Sequence, residues 1–222
     1  MIRDFGFGEF GYLVMAARWT LGLSAMAFVV GGLLGFLLAV LRVAPLAPLR
    51  IAVAGYIQFF QGTPLLMQLF LVYFGLGVFG FHVPALLAAA IAFALYAGAF
   101  LGEIWRGCVQ AIGKPQWEAA AALSLSFPQQ LRYVILPQAV RIAVPPTVGF
   151  LVQLVKNTSL ASIVGFVELT RAGQVINNAT FQPFLVFMVV AALYFVMCFP
   201  LSVLARRLER RLNVGRSLGW SP

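Results

Sequence analysis

Charge is what this chain has least of. Only 9% of its 222 residues are Asp, Glu, Lys or Arg, where about 25% is usual for a soluble globular protein. Fifteen cations and six acids cannot cover the surface of a soluble domain of this length. There is one histidine, so no Ser/His/Asp constellation and no zinc ligand set can be drawn. The two cysteines, Cys108 and Cys198, lie in apolar stretches and make no disulfide framework; they read as small buried hydrophobes. A phosphate-binding P-loop ends in Gly-Lys followed by Ser or Thr. Here Gly113-Lys114 is followed by Pro115, so ATP hydrolysis by that route is excluded. No repeat, low-complexity tract or flexible linker is present. A soluble enzyme, a disordered tail and a secreted disulfide scaffold all fall away.

Apolar residues are what remains, at 62% of the chain. A helix needs about 20 mainly apolar residues to cross the hydrocarbon layer, and five segments qualify: residues 18–41, 51–79, 84–105, 142–167 and 183–205. The alternating segments of about ten residues that mark a membrane barrel are missing. The expected fold is an all-α integral membrane protein, one transmembrane domain spanning 1–222. The first 17 residues are mixed in character and the first apolar run is too long for a signal core, so no cleavable signal is expected. Gly31-Gly35 and Gly98-Gly102 stand at GxxxG spacing, which permits close helix contact and is read as packing within the chain.

The net charge of +9 is a nucleic-acid signal in a soluble protein. Its placement here gives a different meaning, and no nucleic acid partner is expected. The connections after the first and third spans and the C-terminal tail carry Arg42, Arg50, Arg106, Lys114, Arg132, Arg141, Arg206, Arg207, Arg210, Arg211 and Arg216, against Glu118 and Glu209. Everything else is neutral, with Arg3, Arg18, Lys156 and Arg171 set against Asp4, Glu9, Glu103 and Glu168. Basic residues accumulate on the cytoplasmic side. The N-terminus is therefore expected outside and the C-terminus in the cytoplasm.

Ionisable groups within spans cost about 2.5–3.5 kcal/mol each on insertion scales. Lys156 falls about halfway along the fourth expected span, followed by Asn157, Thr158 and Ser159. Gln61, Thr63 and Gln68 fall at similar depth in the second, where Pro64 removes a backbone hydrogen bond. Two interrupted polar helices at matched depth suit a small polar solute, and interhelical hydrogen bonding is the competing use of the same groups. Glu103 and Arg106 are spaced for an ion pair along a helix, and Glu103 is equally a candidate solute contact. Glu168 and Arg171 read as a solvated pair outside the fourth span.

The segment 106–141 faces the cytoplasm on this topology. Pro115 to Leu123 reads as a short helix and Gln129 to Ile135 as a second, with a bend at Ser124 to Pro128. Composition allows either a knob for another protein or a helix pair lying in the headgroups. Glu118-Ala119-Ala120, Ser124, then Val134, Leu136 and Pro137 resembles the EAA loop of binding-protein-dependent ABC importer permeases. That pattern is EAA, three residues, Gly, nine residues, then Ile-x-Leu-Pro. Ser124 stands for the usual Gly and Val134 for Ile, and Ser resists the positive φ that Gly accepts. Gln61-Gly-Thr-Pro-Leu-Leu-Met-Gln68, Glu103-Ile-Trp-Arg-Gly107 and Pro137-Gln-Ala-Val-Arg141 with Lys156-Asn-Thr-Ser-Leu160 resemble three further segments of the polar amino acid permeases. The likeness runs from about Tyr12 to Arg211.

The resemblance implies a type I importer subunit in the bacterial cytoplasmic (inner) membrane, carrying a polar amino acid by alternating access. It implies that Glu118, Ala119, Ala120, Ser124, Leu136 and Pro137 couple to a separate ATPase. Gln61, Thr63, Pro64, Gln68, Glu103, Lys156, Asn157, Thr158 and Ser159 are the expected translocation-path residues. The implied partners are a second permease subunit, identical or homologous, two cytoplasmic ATPases and an extracytoplasmic solute-binding protein. ATP and Mg would sit on the ATPase; this chain is expected to bind no cofactor or metal and to be no enzyme by itself. An ion-coupled secondary transporter and a non-transporting membrane scaffold are the rival readings.

Overall fold

A computed structural model of the chain describes residues 4–43 and 47–213, all of it helix, turn or connection, with no strand among the described residues. Arg3 and Arg216, two of the cations counted above, lie outside the described residues. Among the described residues four helices are long and apolar enough to cross a membrane, and a bent pair makes a fifth span if it crosses as one.

Helix α1 runs Phe7–Val43, starting well before the apolar run at residue 18. Glu9 lies in its first turn and its carboxylate accepts the Gly6 N–H at 3.0 Å, which suits the positive end of the helix dipole. Leu13 and Ala16 give the early turns an apolar face to bury. At 1.5 Å per residue α1 is about 55 Å long, well beyond the roughly 30 Å of hydrocarbon. Ala47–Gly62 forms α2 and Leu65–Val78 forms α3, with a π turn over Leu71–Gly75. The single second span expected over 51–79 is in fact these two helices, bent by 104°. Pro64 sits at the break with extended backbone, since it cannot donate to the helix before it.

Helix α4, Ala85–Gln110, is the centre of the molecule. Its alanines at 88, 89, 92, 97 and 99 are fully buried. α1 crosses it where the two glycine pairs meet. A Cβ on Gly31 would stand 2.5 Å from the Ala97 Cβ, and one on Gly35 would stand 3.0 Å from the Gly98 carbonyl. The backbones touch because neither carries a side chain there. Leu65 and Leu69 of α3 share one apolar cluster with Phe93 and Leu101 of α4.

The short helix α5, Lys114–Ala122, has Pro115 in its first turn, where a missing N–H costs nothing. Helix α6 follows, Phe127–Ser162, made of a capped first turn, a π turn over Gln130–Ile135, an α segment Leu136–Asn157 and a 3-10 end. Phe150 and Leu154 join it to the α4 cluster. Pro137 was expected to stop a separate short helix. It does not, because it stands in the first turn after the π segment. The second loop helix and the fourth span are therefore one element. Helix α7, Leu169–Thr180, falls in a stretch where sequence analysis placed no element; its polar composition hides a face made of Leu169, Ala172, Gly173 and Ile176. Helix α8, Pro183–Asn213, continues past Ala205 because Arg, Leu and Glu are good helix formers in water.

Candidate functional site

The loop between α4 and α6 is a small folded unit with its own core. Ile112, Ile135 and Ala139 are buried together, and Trp117 and Leu131 pack on them. Trp117 stacks on Phe127 at 6.0 Å, and Gln138 Nε2 donates to Gln116 Oε1 at 3.2 Å, tying α5 to α6. Glu118 and Ala119 point outward with Leu123, which is 74% exposed. Ala120 does not: only 2% of it is accessible. Expected to meet a partner, it instead faces its own chain and lets α5 sit down on the loop core. Ser124 adopts φ 57°, the conformation expected of the glycine it replaces. Its N–H donates to Ala121 at 2.8 Å and the Leu125 N–H donates to Ala120 at 3.3 Å, closing the helix end. Leu136 is half-buried and Pro137 exposed on the adjoining turn of α6.

The residues expected along the path divide into two groups. At the α2–α3 break, Gln61 and Pro64 are exposed, Thr63 is half-buried and Gln68 is buried. The Gln68 amide donates to the Phe60 carbonyl at 2.9 Å, the Thr63 carbonyl at 3.1 Å and Thr63 Oγ1 at 2.9 Å. It satisfies the carbonyls that Pro64 orphans, so its N–H groups are spent on the bend. Its Oε1 is buried without a partner.

The second group closes the α segment of α6. Lys156 stands in the last turn of the α segment, just before the helix tightens at Thr158. A cation is favoured at that negative end of the dipole. The Thr158 hydroxyl, fully buried, donates to the Val155 carbonyl at 2.7 Å, and that of Ser159 donates to Lys156 at 2.8 Å. Both hydroxyls finish the helix. Lys156 and Gln153 are exposed on one face with the half-buried Asn157 between them. The Gln153 amide donates to Asn157 Oδ1 at 3.2 Å, and the Tyr96 side chain of α4 lies close to Asn157. Tyr96 and Gln153 were missed because a lone Tyr or Gln in an apolar run carries no signal until Asn157 is seen beside it. No hydrogen bond among the described residues joins this group to Gln61 or Thr63.

Glu103 pairs with Arg106 through Nε at 2.9 Å and through a second, shorter contact. Glu168 departs from expectation. It is fully buried and its carboxylate caps α7, accepting the Arg171 N–H at 2.8 Å, the Thr170 N–H at 2.9 Å and the Tyr194 hydroxyl at 2.8 Å. Burial holds its carboxyl above the usual carboxylate range, against the lowering effect of those donors. The expected solvated pair does not form; the Arg171 guanidinium donates to Gln174 instead.

Against known proteins, residues 31–214 match the family described as binding-protein-dependent transport system inner membrane component. The L-cystine transport system permease protein TcyB of Bacillus subtilis (strain 168) is 36% identical over 88% of this chain and 84% of its own. YckA of the same organism, named as a probable amino-acid ABC transporter permease protein, is 35% identical over 91% of this chain and 90% of its own. Among solved structures, an amino acid ABC transporter described with histidines superposes with a TM-score of 0.87 at 34% identity, covering 90% of this chain and 94% of that one. The inward-facing MetNI methionine ABC transporter shares the fold at a TM-score of 0.76 and 22% identity, covering 94% of this chain and 99% of that one. These matches displace the ion-coupled and scaffold readings. The chain belongs to the inner membrane components of binding-protein-dependent transport systems, a multi-pass membrane permease with the fold of ABC importer membrane subunits.

Proposed function

We propose that this chain carries a polar amino acid inward across the bacterial cytoplasmic membrane, as one half of the membrane unit of an ATP-driven importer. The relatives named for amino-acid transport at over a third identity support the substrate class. A second permease, identical or homologous, completes the pathway, and a solute-binding protein delivers the amino acid outside. Two ATPase subunits hold ATP and Mg; this chain supplies no catalytic group. The basic end of the bundle faces the cytoplasm and the N-terminus faces out.

One observation carries the coupling role: α5 is held on a core of its own, with Glu118, Ala119, Leu123 and Ser124 outward. A rigid knob transmits displacement, where a floppy loop would absorb it. Closure of the ATPases on ATP moves the knob and, through α4 and α6, changes which side the cavity faces, so that nucleotide stabilises one of two states. Gln153, Lys156 and Asn157 present their polar face toward the second permease, and the solute passes there. Thr158 and Ser159 shape that wall through the backbone, and the Gln68 amide holds the α2–α3 bend. Pro64, Thr63 and Gln61 form the bend on the other side of α4, and Glu103, held by Arg106, closes its lower end.

The test is Glu118→Lys in the assembled transporter. Reversing a charge at a desolvated contact removes about 2–5 kcal/mol. The variant is expected to insert and pair with the second permease, yet to release the ATPases on gel filtration and lose substrate-stimulated ATP hydrolysis. Transport at the wild-type rate would place the docking site elsewhere.

A further inference from the structure

Beyond that function, the basic end of the bundle holds a cavity of about 550 Å³ between the ends of α1 and α4, the start of α2 and the α5 loop. Arg42, Arg50, Arg106 and Lys114 line it, with Trp117 and Val109. Arg106 is already engaged, by Glu103 and by Gln110. The other three cations have no carboxylate within ion-pair distance among the described residues. Arg42 makes one long bond, Nη1 to the Arg50 carbonyl at 3.4 Å, and its Nε is buried without an acceptor. Glu118 does not line the cavity. A guanidinium donor out of water and unpaired is unfavourable unless an anion completes it.

A second cavity of about 410 Å³ adjoins the first, and Val109 lines both. It lies between α1, α4 and α6 and is walled by Phe36, Val40, Leu131, Val140 and Val144. Thr147 is its one hydroxyl. That oxygen accepts from Trp105 Nε1 at 2.9 Å and donates to the Ala143 carbonyl at 2.7 Å, so it offers nothing to a ligand. A cationic chamber and a dry groove thus meet at one residue, at the level where the apolar run of α1 gives way to Arg42.

We propose that the pair is a binding site for an anionic phospholipid of the inner leaflet. The phosphate sits among Arg42, Arg50 and Lys114, and one acyl chain lies in the groove past Val109. Basic pockets between membrane helices on the cytoplasmic side take such headgroups. The groove decides against the other occupants. An acidic side chain of an ATPase would answer the cations but cannot reach the walls at Phe36 and Val40, which lie within the apolar run. A second copy of this chain would fill the groove but bring like charges to the chamber. Because the chamber includes Lys114 and Trp117 of the α5 unit, the lipid would brace the coupling knob against α1.

The test uses the intact permease–ATPase complex, by native mass spectrometry from detergent. It is incubated with phosphatidylglycerol and phosphatidylcholine of the same chain length, alone and with inorganic phosphate. Wild type is expected to retain phosphatidylglycerol preferentially. The double substitution Arg50→Gln with Lys114→Gln, at exposed positions, is expected to cut that preference roughly tenfold or more, from about 1 kcal/mol for each charge. Val140→Trp, on a side chain 57% exposed, should weaken retention by filling the groove with every charge in place. Equal retention of both lipids by wild type, or unchanged retention in both variants, overturns the proposal. So does displacement of the lipid by inorganic phosphate alone, which would mean an anion site without a chain site. Loss of the ATPase with lipid retention unchanged would assign the cations to subunit docking. ATPase co-elution with wild type is read in the same spectra, so failure of the transporter reading is seen separately.

Discussion

Glu168 shows how far a single residue can stand from its appearance in sequence. Three residues before Arg171 and just beyond an apolar run, it has the spacing of a surface ion pair. Its carboxylate instead turns back on the first N–H groups of α7 and meets Tyr194 from α8. No local pattern signals this, because the decisive partner is a tyrosine 26 positions away. With the carboxyl raised by burial, the protonated form is favoured by folding. Its stabilising contribution is complete below the ordinary carboxylate pKa and is lost as pH rises through the higher folded value. Melting of the purified protein, followed from acid to neutral pH, should show that loss. Glu168→Gln cannot ionise and should flatten the curve, at a cost of about 0.5–2 kcal/mol at every pH for the weakened cap. An unchanged slope in the variant would assign the pH dependence to another group. Ser124 went the other way: its departure from glycine was visible in the sequence, yet it takes the glycine conformation all the same.

Among the elements, legibility followed the strength of the apolar signal. α4 and α8 emerged close to their expected starts because Ala85 and Pro183 follow clear breaks. The α2–α3 break was visible as Pro64, but its 104° bend was not, since the bend depends on Gln68 reaching back to carbonyls on the preceding helix. α7 was illegible because its buried stripe is narrow and interrupted by Thr170, Arg171 and Gln174. The glycine spacing, by contrast, identified a contact that the structure places between α1 and α4. Gly35→Leu should therefore fail to pack, costing 1–3 kcal/mol or more by the usual scale of overpacking. Gly22→Leu, in the same helix with nothing within 4 Å of its Cβ direction, is the matched control. Melting and gel filtration of the two variants check this; equal behaviour would mean that the crossing adapts.

For the molecule as a whole, the short helix of the α4–α6 loop was legible because its residues are contiguous, while the polar face of α6 was only half visible because Gln153 stands alone in an apolar run. Orientation rests on charge placement and is checked directly. In a variant with Cys108→Ala and Cys198→Ala, Lys114→Cys is expected to react with an impermeant thiol reagent only when the cytoplasmic face is open. Reaction in intact cells would invert the topology. The glycine crossing also bears on how the chain is made. Gly35 precedes Gly98 by 63 positions, with α2 and α3 between them, and synthesis adds about 5–20 residues per second. For about 3–13 s at that pace, α1 is complete while the surface it matches has not been built. Its glycine face must wait against lipid or the insertion machinery: Leu38 of α1 can already meet Val53 and Ile57 of α2, but the close backbone crossing forms only when the third apolar segment arrives.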